Sequence, residues 1–432
     1  MKTMKVALLA TAALAAVTVS ARADDTAAIK AQLEALTARI AQLEASPAVP
    51  VGYSLLTISE GPATVVPGLE ETDRNLLDTA TIIGIMPTAD MPASTTIEWS
   101  GYVRSIVSYT DYGYDDGDED VNVKARAYLK VVGKTDTAVG EVGARVAFES
   151  NAAGVDVDPA PATVEYWGWW AMTPELTLGG GNSGSLGSIG YGVDSSCSPC
   201  GSNDFFSAEQ RDEDNISFAP NPGDATQIRL SWASGPVSAA VALEDSDYDG
   251  GVGDLGVAGE IKYSGDTISG EISGIWYEHD DGGDTAAVAA GAVVDDPLTL
   301  GVDESLGTPG ITTSEDGTGW QIGAGAGFAL GDVASLSVSA TLGDEPSKGD
   351  YWTTSALLGF TLTDTVRTEF GASYADYDDL DVQLTEFDVG LYYEPVAQLT
   401  LGVEAAWADG LADFYGFEDE LITVGGIAVW RF

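Results

Sequence analysis

The 432-residue chain holds one histidine, His279, and two cysteines, Cys197 and Cys200. It has 18 Lys and Arg against 68 Asp and Glu, a formal charge of -50. Each scarcity excludes something. Nucleic-acid binding rests on basic contacts to phosphate, and so acidic a chain argues against it. A lone histidine after Glu278 supplies no His-based catalytic apparatus, and no nucleophile elbow, phosphate-binding loop or zinc-protease motif occurs. The chain therefore reads as non-enzymatic, with no required cofactor. Apolar runs are scarce too. Beyond the first residues, Gly, Ser, Thr or Asp interrupts every weakly polar stretch, so no spanning helix of roughly 20 apolar residues is expected.

The two cysteines form a CxxC pair, a spacing shared by redox sites, half metal sites and small loop disulfides. A redox site wants a βαβ context, which is not visible, and a zinc site wants more Cys or His. A tight structural disulfide between Cys197 and Cys200 inside a loop is the reading adopted.

Lys2 and Lys5 precede an apolar run over residues 6–19, and Ala21-Arg22-Ala23 offers a small-x-small cleavage site before Asp24. That layout is a secretory signal peptide, residues 1–23. Removing it takes away Lys2, Lys5 and Arg22 and leaves the remainder at -53. An exported chain without spanning helices is either soluble or a β-barrel, because only helices and closed barrels satisfy their backbone groups in lipid.

Residues 24–46 read as a helix. Ile29, Leu33, Leu36, Ile40 and Leu43 recur at heptad spacing, and Pro47 and Pro50 end the pattern. So short a seam is marginal alone, so it is expected to form a small periplasmic coiled coil or to lie on another surface. Residues 47–94 are rich in proline and read as a linker with a weakly helical patch near residues 72–85.

From residue 95 to 432 the texture is strand-like. Ile97, Trp99, Val103 and Val107 alternate with Glu98, Ser100, Tyr102 and Arg104. Val121, Val123, Ala125 and Ala127 alternate with Asn122, Lys124, Arg126 and Tyr128, and Val142, Val146 and Phe148 alternate with Glu141, Arg145 and Glu149. Such charged second faces suit a barrel whose outside meets lipid and whose inside holds water. Connections alternate in length. Seven short ones, among them 133–136, 173–174 and 265–266, interleave with eight longer acidic ones, among them 111–120, 181–210 and 279–316. The count gives an all-β, 16-stranded antiparallel transmembrane barrel with a short N-terminal coiled-coil helix. Residues 215–233 could be one bulged strand or a hairpin. Aromatics near strand ends, including Trp167, Trp169, Trp170, Trp276, Tyr277, Trp352, Tyr377 and Trp430, read as interfacial girdles.

The chain ends on Trp430-Arg431-Phe432, which resembles the recognition signal that outer-membrane barrels present to their assembly machinery through a terminal Phe. With the segment Ile97-Glu98-Trp99-Ser100-Gly101-Tyr102-Val103-Arg104, whose SGYVR core looks like an opening porin strand, and the strand-turn-strand over 164–178, the sequence from about 95 to 432 resembles the bacterial general porins, especially the alphaproteobacterial porin family. The resemblance implies homotrimers of 16-stranded barrels in the Gram-negative outer membrane, with the third loop folded inward as a constriction for small hydrophilic solutes and ions. On that expectation, Arg104, Lys124, Arg126 and Arg145 line one wall and Asp194, Asp204 and Glu209 line the loop. They would set up a transverse field across a narrow aqueous gap. The competing reading is that the bases only neutralise inward acids such as Glu98, Glu141 and Glu149. Net charge points to cation preference.

Asp245, Asp247 and Asp249, followed by Gly250, match the first half of a calcium loop, but Gly256 stands where the closing Glu belongs. Calcium in an extracellular loop and a simply solvated acidic loop both fit. Two other functions remain open on sequence: a channel selective for a sugar or an anion, and a barrel that anchors the outer membrane to the cell wall through the N-terminal helix.

Overall fold

The computed structural model describes residues 56–66, 69, 79–86, 94–111, 119–153, 162–192, 224–245, 255–279, 317–346, 349–410 and 420–432. The signal peptide, the heptad helix, the Cys197 and Cys200 pair, and Asp194, Asp204, Glu209, Asp247 and Asp249 lie outside these residues.

Eighteen strands follow in chain order: β1 Leu56–Pro62, β2 Thr79–Ile85, β3 Thr95–Asp111, β4 Glu119–Thr137, β5 Gly140–Ala153, β6 Ala162–Ala171, β7 Leu176–Gly184, β8 Asp224–Ser234, β9 Val237–Asp245, β10 Leu255–Ser264, β11 Ile268–His279, β12 Gly317–Ala329, β13 Ala334–Glu345, β14 Gly349–Thr363, β15 Val366–Tyr377, β16 Val382–Val396, β17 Leu399–Asp409 and β18 Glu420–Arg431. Each of β3 to β18 pairs antiparallel with its sequence neighbour, and β18 pairs with β3 through Ile422↔Asp111 to Arg431↔Tyr102. The 16 strands close into a barrel without an edge, which is what a sheet needs if lipid surrounds it.

Parity along each strand sets the two faces. On β16 the burial pattern alternates through most of its length, with Phe387, Val389 and Leu391 exposed and Glu386, Asp388 and Tyr392 buried. On β3, Trp99, Val103 and Val107 face out, while Glu98, Ser100, Tyr102 and Arg104 are buried inside. Large apolar side chains are exposed on every strand from β3 to β18, as a lipid-facing band requires.

The short connections fall near where alternation predicts, with shifted bounds, such as 397–398 rather than 394–397. The first is Ala138–Val139 rather than 133–136, because Lys134 and Thr135 still pair with Gly143 and Val142. Of the segment 215–233, residues 224–233 belong to one strand, β8, and 215–223 lie outside the described residues. The girdle reading needs correction. Trp170, Trp276, Trp352 and Trp430 point outward, but Trp167, Trp169, Tyr277 and Tyr377 are buried inside, because odd and even positions of one strand cannot share a face.

The segment read as a linker contains two strands. β1 and β2 form an antiparallel pair, and β2 continues onto β3 over Thr95–Trp99. This is the stretch of β3 that β18 leaves uncovered. The chain closes just above it, where Gly101 and Phe432 exchange two backbone hydrogen bonds of 3.1 and 2.9 Å. A Cβ on Gly101 would sit 2.6 Å from the Phe432 ring and 2.5 Å from the Tyr128 carbonyl oxygen. The glycine of the opening strand is therefore the seat of the terminal phenylalanine. The expected weak helicity over 72–85 is strand from Thr79 onward, since pairing to β3 outweighs local propensity.

Candidate pore lining

All ten Lys and Arg among the described residues lie on strands, and strand parity puts every one on the inner face. Six of them are on β3, β4 and β5: Arg104, Lys124, Arg126, Lys130, Lys134 and Arg145. Arg104 pairs across the ladder with Arg126, which concentrates positive charge on one wall. Carboxylates hold that charge in place. Arg126 bonds to Glu149, Arg145 bonds to Glu165, and Lys134 stands 3.6 Å from Glu98. The expected wall residues Arg104, Lys124, Arg126 and Arg145 are thus brought together on the inside, and the neutralising acids are there as well. Arg145, fully buried, could not be tolerated without its carboxylate partner.

Across β18, whose inner face carries Ile427 and Val429, an acidic sector begins: Glu404 on β17, Glu386 and Asp388 on β16, and Glu369 on β15. Strands are about 4.8 Å apart, so β3 and β17 lie roughly 10 Å apart along the wall. A wall of bases paired with acids therefore adjoins a sector in which acids predominate.

The third connection turns into the barrel. Its described part, Ser185 to Gly192, runs along the inner wall and is pinned strand by strand. Gln227 on β8 donates to the Ser183 and Gly184 carbonyls at 2.9 and 3.0 Å, and Arg229 donates to the Gly184 carbonyl at 2.8 Å. Glu244 on β9 accepts from Ser185 Oγ at 2.5 Å and from Leu186 N–H at 2.9 Å. Glu271 on β11 accepts from Gly190 N–H. Gln321 on β12 donates to the Gly187 carbonyl at 2.9 Å, and Ser337 on β13 accepts from Gly192 N–H at 2.8 Å. The loop's backbone polar groups find partners in wall side chains, as buried backbone must.

Sequence reasoning placed this loop inside but missed its seat. On β12 the inward positions Gly323, Gly325 and Gly327 lie beneath it. A Cβ at Gly323 would be 2.6 Å from Ile189, and one at Gly325 would be 2.5 Å from Tyr191. The signal was present in the sequence as glycine at alternate positions of one strand, a pattern that marks close approach of another chain segment. The described part of the loop carries no charged side chain. Below it, toward the short turns, a cavity of about 500 Å³ continues the lumen, lined by Tyr191, Ser269, Ser335, Ser337, Arg367 and Glu394 among others. Arg367 stands 3.2 Å from Glu369 and 3.5 Å from Glu394, and packs 4.9 Å from the centre of the Tyr392 ring.

Of the calcium candidates, only Asp245 is among the described residues. It ends β9, paired with Leu255, and no group of three possible metal-ligating side chains occurs among the described residues.

No protein-family model matches the chain, and no curated protein matches it. Solved structures do match in fold. The anion-selective porin from Comamonas acidovorans aligns with a TM-score of 0.53 at 15% identity, over 78% of this chain and all of its own (100%). A loop L8 deletion mutant of OmpT, an outer membrane protein of Vibrio cholerae, aligns with a TM-score of 0.52 at 13% identity, over 78% of this chain and 99% of its own. The chain has the porin barrel fold.

Proposed function

We propose that this protein is a porin of the Gram-negative outer membrane, a water-filled channel for passive diffusion of ions and small hydrophilic solutes with a preference for cations. One observation carries the reading. In a closed barrel with an apolar exterior, every described Lys and Arg faces inward, beside a similar set of carboxylates. A charged inner face is costly unless water and ions share it. The charged wall and the acidic sector beside it would orient polar solutes as they pass, and the inward third loop narrows the path. The strongly acidic chain favours cations in the approach.

The SGYVR strand seated on Phe432 supports placement among the alphaproteobacterial porins, and a homotrimer follows from that placement. The terminal Phe is the feature that the barrel assembly machinery would read. Residues 24–46 would then hang as a coiled coil in the periplasm. The lumen tyrosines do not argue for a sugar-selective path. Tyr102 and Tyr128 stack on each other with ring centres 5.4 Å apart, and both are buried.

Reconstitution in a planar bilayer tests the proposal. Stepwise openings in groups of three, with a cation-favouring reversal potential across a KCl gradient, are expected. An anion-favouring reversal would refute the selectivity, and silence from heat-modifiable protein would refute the channel.

A further inference from the structure

Between β1 and β2, residues 63–66 and Leu69 lie against the inner face of the barrel. Val66 is fully buried and Leu69 nearly so, in one apolar cluster with Val132 of β4 and Trp167 and Trp169 of β6. All three partners belong to the inner face. Thr64 N–H donates to Glu98 Oε2 at 2.7 Å, Thr64 Oγ1 donates to Glu98 Oε1, and Lys134 Nζ donates to Thr64 Oγ1 at 2.6 Å. Glu98 and Lys134 also face inward, at the short-turn ends of β3 and β4. Leu69 N–H closes a turn on the Val66 carbonyl at 3.2 Å. Two tryptophans pointing into a water-filled lumen would expose large apolar surface, and here this segment covers them. The adjacent Val65 remains exposed.

We propose that Ala63 to Val66, with Leu69, form an inward strap that sets a second narrow passage at the periplasmic mouth, in series with the third-loop constriction. The strap thereby acts as a size- and charge-determining element of the channel. Its position follows from the chain path. β1 and β2 continue the wall beneath the end of β18, so Ala63 starts at the rim, and Val66 and Leu69 turn onto the inner face. Solutes leaving the third loop must pass it. Because passages in series each add resistance, loosening the strap raises conductance even with the third loop intact.

The proposal rests on the channel reading, and the experiment separates the two. Full-length wild type is compared in planar bilayers and in polyethylene glycol exclusion with two variants. In one, Ala63, Thr64, Val65, Val66 and Leu69 are replaced by Gly and Ser at equal length. In the other, Val65→Asp adds a charge at an exposed position that folding does not need. Expected are a higher single-channel conductance and a larger exclusion size for the first, and a reversal potential shifted toward cations for the second. A silent wild type beside a conducting Gly/Ser variant would mean a plugged barrel, and would overturn both the open channel and the second passage in series. With wild type open, unchanged conductance, exclusion size and reversal potential in the variants overturn the strap and leave the channel standing. Silence from all three, each heat-modifiable, overturns the channel and the strap together.

Discussion

The strap covers the inner wall on β3 to β6, and the third loop covers it on β8 to β13, and the two are held by different chemistry. Under the loop the wall offers Gln227, Arg229, Glu244 and Gln321 to backbone groups, over a floor of glycine. Under the strap it offers Val132, Trp167 and Trp169, with a single polar clasp at Glu98 and Lys134. A loop of Gly and Ser has little apolar surface to bury and must be fixed through its backbone. A strap with Val and Leu can be fixed through burial, at about 25 cal/mol per Å². The two regions meet at Trp167. Its ring belongs to the strap's cluster, and the Arg229 guanidinium lies 5.2 Å from its centre while donating to Gly184 at the root of the loop.

That junction is where one substitution reaches both regions. Trp167→Ala would open a void beneath Val66 and Leu69 and remove the cation–π partner of Arg229. The expected loss is about 3–5 kcal/mol, seen as a lower denaturant midpoint of the folded barrel and a noisier, larger open current. A loss confined to stability, with an unchanged current, would separate the two regions and break the comparison.

Gly325→Leu strikes the loop's floor alone. The new side chain meets Tyr191, whose Cβ and ring would lie 2.5 and 2.7 Å from the added Cβ. Overpacking of this kind costs about 1–3 kcal/mol. Tyr191 has only the lumen to move into, so single-channel conductance should fall. Gly133→Ala, where an added Cβ meets nothing within 4 Å, is the matched control and should leave conductance and midpoint unchanged. Equal effects at both sites would mean that the glycine stripe is not a seat for the loop.

The strand count, the two faces and the inward wall of Arg104, Lys124, Arg126 and Arg145 were legible because a period of two writes burial directly into sequence. The same rule, applied strand by strand, would have sorted Trp167 and Trp169 from Trp170, but proximity to a turn was given more weight than parity. Gly323, Gly325 and Gly327 looked like ordinary spacers until Ile189 and Tyr191 were seen above them. The strap was invisible for another reason. Val66 and Leu69 sit among prolines without any periodicity, and their partners lie far along the chain at Val132 and Trp167. Only the closed barrel brings those positions together.

The smallest expected effect tests which part of the strap's attachment matters. Thr64→Val keeps the shape and removes the hydroxyl that donates to Glu98 and accepts from Lys134. Glu98 retains the Thr64 N–H, and Lys134 remains 3.6 Å away, so neither charge is stranded. The cost should be about 1 kcal/mol or less, read as a slight fall in the denaturant midpoint with conductance and exclusion size unchanged. That result would leave the apolar cluster as the strap's main hold and sharpen the contrast with the loop. A conductance rise as large as that from replacing the whole strap would reverse it. The polar clasp would then fix the strap as hydrogen bonds fix the loop, and Trp167 and Trp169 would be shielded by the strap without holding it.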